Sequence, residues 1–118
     1  MKKKHFKRGF IYRVRNVRTG REYVGQQSRL YSKGLEPEEI MGKLYFSSNA
    51  GLAEEWKAHP EDFVWEVVEK NITDKRDLDF MEAQLIFDLW VRKVNCYNRI
   101  INLTLAKRKE DETKEENR

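Results

Sequence analysis

The chain has 118 residues, of which 39% are hydrophobic and 37% are charged, and its formal net charge is +4. This length and apolar content suffice for one small domain with a single modest core. Because charged residues interrupt the apolar runs, the sequence predicts neither a membrane span nor a secretory signal, and we expect a soluble protein.

Metal-binding and disulfide-forming residues are scarce. Cys96 is the single cysteine, and His5 and His59 are the two histidines. A lone cysteine forms no intramolecular disulfide, and this set makes a zinc site of His and Cys ligands improbable. The composition therefore suits the reducing cytoplasm.

The positive charge is concentrated near the amino terminus. Residues 1–34 contain eleven Lys and Arg against one acidic residue, a local net charge of +10. Aromatic residues are interleaved with these cations, among them Phe6, Tyr12 and Tyr23. This combination is typical of a protein that binds the phosphate backbone of a nucleic acid. The alternative interpretation is a solubilising tail followed by a solvated strand face.

Residues 1–8 are predicted to form a basic flexible arm, because their like charges repel one another. A β-hairpin follows, since 10–16 and 21–27 are rich in β-branched and aromatic residues and Gly20 supplies the positive φ of a tight turn. If the two arms pair about this turn, Tyr12 and Tyr23 come close to opposite one another, with side chains about 5 Å apart on one face. Two phenols and several arginines on a small sheet are suited to hold a phosphate.

Two short helices are predicted after the hairpin, beyond a polar loop over 27–35. The first begins near Pro37, which the first turn of a helix tolerates, and ends at Gly42. The second is capped by Ser48 or Asn49 and ends before Pro60, because the residue preceding a proline is forced out of the helical region.

A third strand is predicted over 63–69. Apolar residues occupy both of its faces, with Phe63, Trp65 and Val67 on one and Val64 and Val68 on the other. Burial on both faces indicates that this is the central or most covered strand of the sheet.

A long helix is predicted over 74–93, with Thr73 as its N-cap, and it carries a carboxylate in its apolar stripe. Glu82 falls close to the centre of this stripe. An unpaired buried charge costs several kcal/mol, so Glu82 must meet a cation, a metal or a wet cleft. One interpretation is a salt bridge to an arginine of the hairpin, and the other is a metal ligand in a cleft that faces the hairpin. The apolar members of the stripe are Leu78, Met81, Leu85, Ile86 and Leu89.

The chain is then predicted to return toward the core over 94–103. Ile100 and Ile101 are the expected packing residues, and Asn98 is a candidate loop anchor. Residues 105–118 are a charged tail of mixed sign that we expect to be disordered.

The order and spacing of these motifs resemble the GIY-YIG nuclease family. The tyrosines of Phe10-Ile11-Tyr12 and Tyr23-Val24-Gly25 are eleven residues apart, Glu82 lies on a late helix, and Tyr97-Asn98 follows about sixteen residues later. The resemblance covers residues 9–104. Small phage-type homing endonucleases and certain restriction enzymes are the most similar members, and residues 44–48 are similar to a Tyr-x-Gly-Ser-Gly stretch of some phage-type members.

The resemblance implies a small α+β domain, in which helices flank a three-stranded antiparallel sheet. It also implies an endonuclease that hydrolyses DNA phosphodiester bonds with one divalent cation, Mg²⁺ or Mn²⁺. Glu82 would bind the metal, Tyr12 and Tyr23 would line the position of the attacking water and one of them would help to deprotonate it, and Asn98 would brace the site. The residues expected to contact DNA are Arg13, Arg15, Arg21, Gly25 and Gln27.

The sequence departs from the family at two places. The glycine that precedes Ile-Tyr stands one residue early, at Gly9. The arginine that the family carries about ten residues beyond the second tyrosine is missing, and the candidate replacements are Arg29, Lys33 and Lys43. A lysine stabilises a phosphate as a point charge but lacks the forked geometry of arginine. The alternative function is therefore a catalytically impaired nucleic-acid-binding module on the same fold.

Double-stranded DNA is the expected partner, and a phage or mobile element is the origin that the resemblance suggests. Because no separate DNA-reading module is visible, sequence specificity would come from insertions, from a homodimer or from a partner protein. The expected location is the cytoplasm of a bacterium or a phage-infected host. A last alternative is an unrelated basic domain, RNA-associated or structural, in which Glu82 pairs with an arginine.

Overall fold

The computed structural model describes residues 6–92 and 94–98. Within them, three antiparallel strands form one sheet in the order β2-β1-β3. The elements are β1 (Gly9–Asn16), β2 (Glu22–Gln27), α1 (Pro37–Ile40), α2 (Ala50–Ala58), β3 (Phe63–Ile72) and α3 (Lys75–Val91). The predicted α+β fold with a three-stranded antiparallel sheet is confirmed.

The central strand is β1, so the prediction that the third strand is central is wrong. Phe10, Ile11, Tyr12 and Val14 of β1 are all fully buried, whereas Val64 of β3 is 53% exposed. An inner strand is covered on both faces and paired along both edges, which requires a continuous apolar run rather than the mixed pattern of β3. That run is Phe10-Ile11-Tyr12, and Arg13 and Arg15 interrupt the apolar pattern only beyond it.

Helices and loops cover both faces of the sheet. Ile11 and Val24 face α3 and pack with its buried residues Leu78, Ile86 and Leu89. On the other face, the alternate strand residues pack beneath α1, α2 and the loops around them; this cluster includes Phe10, Tyr12, Val14, Tyr23, Tyr31, Ile40, Phe46 and Leu52. The period-2 alternation of the hairpin thus divides its side chains between two apolar layers.

The ends of the elements follow ordinary capping chemistry. The Asn49 side chain accepts a hydrogen bond from the Leu52 amide at 3.0 Å and caps α2, as predicted. The cap of α3 is Asp74 rather than Thr73, because the Asp74 carboxylate accepts bonds from the amides of Arg76 and Asp77. A charged carboxylate at this position also complements the helix dipole.

The segment that precedes β1 packs against the segment that follows β2. The Arg8 guanidinium lies 3.7 Å above the Tyr31 ring and bonds the carbonyl oxygens of Tyr31 and Leu35. Residues 6–8, the last part of the predicted flexible arm, are therefore anchored, while 1–5, Ile100, Ile101 and the predicted tail lie outside the described residues. In the part of the chain that the structure describes, no helix has the length and apolar content needed to cross a membrane.

Candidate active site

Tyr12 and Tyr23 lie on the same face of the sheet but are diagonal neighbours, not directly opposite residues. Tyr12 pairs with Gly25, and Tyr23 pairs with Val14. Their ring centroids are 6.1 Å apart. The predicted register was therefore wrong by one pair on the same face. The pairing of Arg15 with Glu22 centres the turn between Arg18 and Thr19, one residue later than directly opposite tyrosines would require.

Gly25 makes room for the two phenol rings. A Cβ atom at this position would lie 2.5 Å from the Tyr12 hydroxyl oxygen and 2.7 Å from a ring carbon of Tyr23. Any side chain here would push both rings away from β2. The glycine therefore lets the Tyr12 hydroxyl reach the outer strand of the sheet.

A loop between α1 and α2 brings two more hydroxyl groups to this point. The Tyr12 and Tyr45 hydroxyls are 2.7 Å apart, and the Tyr23 hydroxyl lies 3.0 Å from Ser48 Oγ. Tyr45 was not among the predicted site residues, although the 44–48 stretch that contains it was part of the resemblance. A local pattern does not say which residue of an irregular loop points inward.

Burial makes two of these phenols hard to ionise. Tyr12 is fully buried, and desolvation, followed by the neighbouring phenols Tyr23 and Tyr45, raises its pKa well above the ordinary value. Desolvation likewise raises the pKa of Tyr45. Tyr12 and Tyr45 therefore remain protonated at neutral pH and act as hydrogen-bonding groups.

Glu82 lies in the buried stripe of α3, as predicted, and is 5% exposed. Its Oε1 accepts a hydrogen bond of 3.0 Å from the Gln26 side-chain amide. The ion pairs formed by the described residues do not include Glu82, so the salt bridge to a hairpin arginine was the wrong interpretation. Desolvation raises the pKa of this carboxyl, an effect that the bond from Gln26 partly offsets.

Gln26 connects Glu82 to the first turns of α3. Its amide nitrogen also donates to Asp79 Oδ1 at 2.8 Å, and its amide oxygen accepts from Lys75 Nζ at 3.0 Å. Lys75 and Asp79 are themselves paired at 2.6 Å. The Glu82 carboxylate is thus held by a network that spans β2 and α3.

The carboxylate and the phenols lie on opposite faces of the sheet, at the outer edge of β2. Glu82 approaches from the α3 side of the sheet, through Gln26, whereas Tyr12 and Tyr23 lie on the other side around Gly25. Glu82 is nevertheless close enough to Tyr45 for its negative charge to raise the pKa of that phenol. One buried carboxylate and three phenols therefore share this edge.

The residues at this edge fit a hydrated divalent cation. Glu82 offers one carboxylate whose described partner is a neutral amide, and Mg²⁺ is commonly held by one or two carboxylates with water completing its shell. The cluster of His59, Glu61 and Asp62 is less suited to a metal ion than Glu82. Its side chains are exposed or half-buried, and they pair with each other and with Arg18.

Two of the three candidate cations lie together. Arg29 and Lys33 line one cleft of about 800 Å³, which also has Lys7 and Lys75 in its walls. Lys43 is not among the residues that line this cleft; it is an exposed residue of the turn after α1. Among the described residues, Arg29, Lys33 and Lys43 form no hydrogen bond to a tyrosine hydroxyl or to Glu82.

The hairpin residues expected to contact DNA are dispersed. Arg13 pairs with Glu22 and Glu66 and lies with Arg15 on the strand face opposite to Tyr12. Arg21 stacks 3.9 Å above the Tyr97 ring.

Gln27 is buried in a structural role. Its side chain accepts a 2.8 Å hydrogen bond from the Leu30 amide and so shapes the turn after β2. Of the residues predicted to contact DNA, Gly25 is the one that the structure brings to the phenols.

Asn98 braces the outer edge of β2. Its side-chain amide donates to the Val24 carbonyl oxygen at 2.7 Å and accepts from the Val24 amide at 2.9 Å. These two bonds imitate the pairing of a neighbouring strand, and Tyr97 and Glu22 add a backbone bond beside them. Asn98 therefore acts on the site through the backbone of β2.

Comparison of the chain with protein-family models, with curated proteins and with solved structures found no match.

Proposed function

We propose that this protein is a DNA endonuclease of the GIY-YIG type, which hydrolyses phosphodiester bonds with Mg²⁺ or Mn²⁺. One observation carries the proposal: a buried carboxylate that forms no ion pair among the described residues lies at the same strand edge as three phenols. Carrying a buried charge is costly, so its retention beside hydroxyl groups needs a reason. A metal ion would supply it.

Each residue has a distinct task in this proposal. A divalent cation bound by Glu82 would neutralise the charge that develops on the scissile phosphate. Tyr12 keeps its proton, and its hydroxyl and that of Tyr45 would form hydrogen bonds beside the phosphate. Gly25 leaves the space that the Tyr12 ring needs against β2, and Asn98 holds the edge of β2 in place.

Tyr23 is the phenol best placed to move the proton of the attacking water. Its hydroxyl bonds Ser48 Oγ, and Ser48 is an exposed residue that would exchange a proton with solvent. As the water oxygen bonds to phosphorus, Tyr23 Oη accepts the proton and its own proton passes through Ser48 Oγ to solvent. The P–O bond to the leaving strand breaks, and the leaving oxygen takes a proton from solvent.

The decisive experiment is nicking of supercoiled plasmid by the purified protein with Mg²⁺, with Mn²⁺ and with chelator. Glu82→Ala is the test variant, and Asp88→Ala, an exposed carboxylate on the same helix, is the matched control. The proposal expects metal-dependent nicking that Glu82→Ala abolishes and Asp88→Ala retains. Equal cleavage by both variants would indicate a contaminating nuclease and remove the basis of the assignment.

The second candidate is a nucleic-acid-binding module without catalysis. It is favoured by the absence, among the described residues, of any Arg or Lys hydrogen-bonded to the phenols or to Glu82, because phosphoryl transfer usually employs such a cation. It predicts DNA binding without nicking in Mg²⁺ or Mn²⁺. Alanine variants of Arg29, Lys33 and Lys43 separate the candidates, since the nuclease requires at least one to lose cleavage while it still folds and binds.

The proposed partner is double-stranded DNA, and the source of any target specificity would be insertions within the domain, a homodimer or a partner protein. The single cysteine accords with a cytoplasmic location, in a bacterium or a phage-infected host. A phage or mobile-element origin belongs to the same proposal.

A further inference from the structure

A basic cleft lies beside the candidate active site. The N-terminal segment, the turn after β2 and the start of α3 form its walls, which enclose about 800 Å³. We call this the N-terminal cleft, and its lining residues are Phe6, Lys7, Ser28, Arg29, Ser32, Lys33 and Lys75. Four of these seven side chains are cationic and none is acidic.

Most of this charge is available to a ligand. The ion pairs of the described residues do not include Lys7, Arg29 or Lys33, and all three side chains are exposed. Lys75 differs, because it is paired with Asp79. The cleft thus presents three uncompensated cations and one that is compensated.

The shape is fixed by bonds behind the cations. Ser32 Oγ accepts hydrogen bonds from the amides of Lys7 and Arg8, at 3.0 and 3.2 Å, and donates to the Arg8 carbonyl oxygen. Arg8 is held further by its pairing with Glu36. The N-terminal wall is therefore attached to the turn that carries Lys33, and the cations of the two walls stay close to each other.

Two hydrogen bonds connect a wall of the cleft to Glu82. Lys75 lines the cleft and bonds the oxygen of the Gln26 amide, whose nitrogen bonds Glu82. A single glutamine side chain thus separates a wall of the cleft from the carboxylate. A polymer with regularly spaced negative charges is the class of ligand that would bind both the cations of the cleft and a metal ion at Glu82.

We propose that the N-terminal cleft holds the sugar-phosphate backbone of the DNA strand next to the cut. A concave cleft accepts a strand of phosphates, whereas a flat membrane surface cannot enter it. The contacts are Lys7, Arg29 and Lys33; Lys7 acts on binding alone, whereas Arg29 and Lys33 remain the cations whose loss the nicking assay tests. This inference rests on the proposed function, and it adds Lys7 and the anchored segment 6–8 to the DNA-binding surface.

The test is the salt dependence of binding to a short labelled DNA duplex, measured by fluorescence anisotropy in chelator so that no cleavage occurs. Each lost phosphate contact lowers the steepness of log K against log salt by about 0.9. The double variant Lys7→Gln/Lys33→Gln should therefore reduce the slope by about 1.8. The matched control, Lys57→Gln/Lys70→Gln, changes two exposed lysines outside the cleft and should retain the wild-type slope.

Three outcomes would overturn the inference: equal slopes for the two double variants, competition by polyglutamate as effective as competition by unlabelled DNA, or tighter binding to anionic lipid vesicles than to DNA. Thermal unfolding of both variants shows whether they are folded. Failure of the proposed nuclease is a separate result, since it would appear as absent nicking with the slope difference still present.

Discussion

The Tyr12 hydroxyl lies directly over Gly25, where a Cβ atom would come within 2.5 Å of it. We predict that Gly25→Ala displaces the buried Tyr12 ring and destabilises the protein by about 1 to 3 kcal/mol, the usual cost of overpacking. Chemical denaturation measures this loss, and near-ultraviolet circular dichroism reports the tyrosine environment. Cleavage should fall together with stability, because Tyr23 contacts the same position.

Gly51→Ala is the control for that substitution. Gly51 lies in the exposed first turn of α2, and its nearest contact for a Cβ is Asn49 Oδ1 at 3.4 Å. This variant should be as stable as the wild type or more stable by up to about 1 kcal/mol, since alanine favours a helix. Equal stability of the two alanine variants would contradict the role assigned to Gly25.

Glu82 should destabilise the fold at neutral pH in the absence of metal. Its pKa is raised above the ordinary 4.5, so the folded state binds the proton more tightly than the unfolded state. Stability therefore falls as pH rises from the unfolded pKa to the folded pKa, and the loss persists at neutral pH. We expect Glu82→Gln to be more stable than wild type at neutral pH, by roughly 1 kcal/mol, and this advantage to disappear in acid below pH 4.5.

Metal binding should make the wild type more stable than Glu82→Gln. A cation that binds the folded state stabilises it by mass action, about 2.7 kcal/mol at a hundredfold excess over its Kd. Mg²⁺ or Mn²⁺ should raise the thermal midpoint of the wild type and leave that of Glu82→Gln unchanged. An equal rise in both proteins would mean that the cation binds elsewhere.

Tyr23 and Tyr45 should differ in their effects on cleavage. Tyr23→Phe should reduce the rate about a hundredfold or more, the scale of a lost proton-transfer group. Tyr45→Phe should have a smaller effect, because it removes a hydrogen bond to Tyr12 and leaves the path through Ser48. Single-turnover rates of supercoiled-plasmid nicking measure the loss of activity in each variant. A greater loss in Tyr45→Phe than in Tyr23→Phe would assign the proton transfer to Tyr45.

Asn98→Ala should weaken the outer edge of β2. The variant leaves the buried amide and carbonyl of Val24 without their partners, at a cost of about 2 to 4 kcal/mol for the two bonds. Hydrogen exchange of the Val24 amide should become faster than in the wild type. Asn95→Ala, which alters an exposed side chain in the same segment, should change stability by less than about 0.5 kcal/mol.

The fold was largely predictable because its elements carry strong local signals. The hairpin and α3 each have a clear hydrophobic period, and the period of α3 alone indicated that Glu82 is buried. The order of the strands in space is not a local property. Apolar residues on both faces of β3 suggested a central strand, but the continuous burial of residues 10–12 shows that β1 is central.

The candidate site was predictable only for residues that lie in a strand or helix with a clear hydrophobic period. The two tyrosines of the hairpin and Glu82 were found from spacing. Tyr45 was missed, since an irregular loop has no period that reveals its inward face. The roles of Gln26 and Lys75 were missed for another reason: polar residues on exposed strand and helix positions form their bonds according to neighbours 49 to 56 residues away in the chain.

The bond between Asn98 and Val24 joins residues 74 positions apart. During synthesis, β2 leaves the ribosome long before residue 98 does, so its outer edge lacks this partner until nearly all of the described chain has been made. A DNA-cutting centre built on that edge would mature last. The proposed activity would then require the chain through residue 98, and shorter chains would lack it.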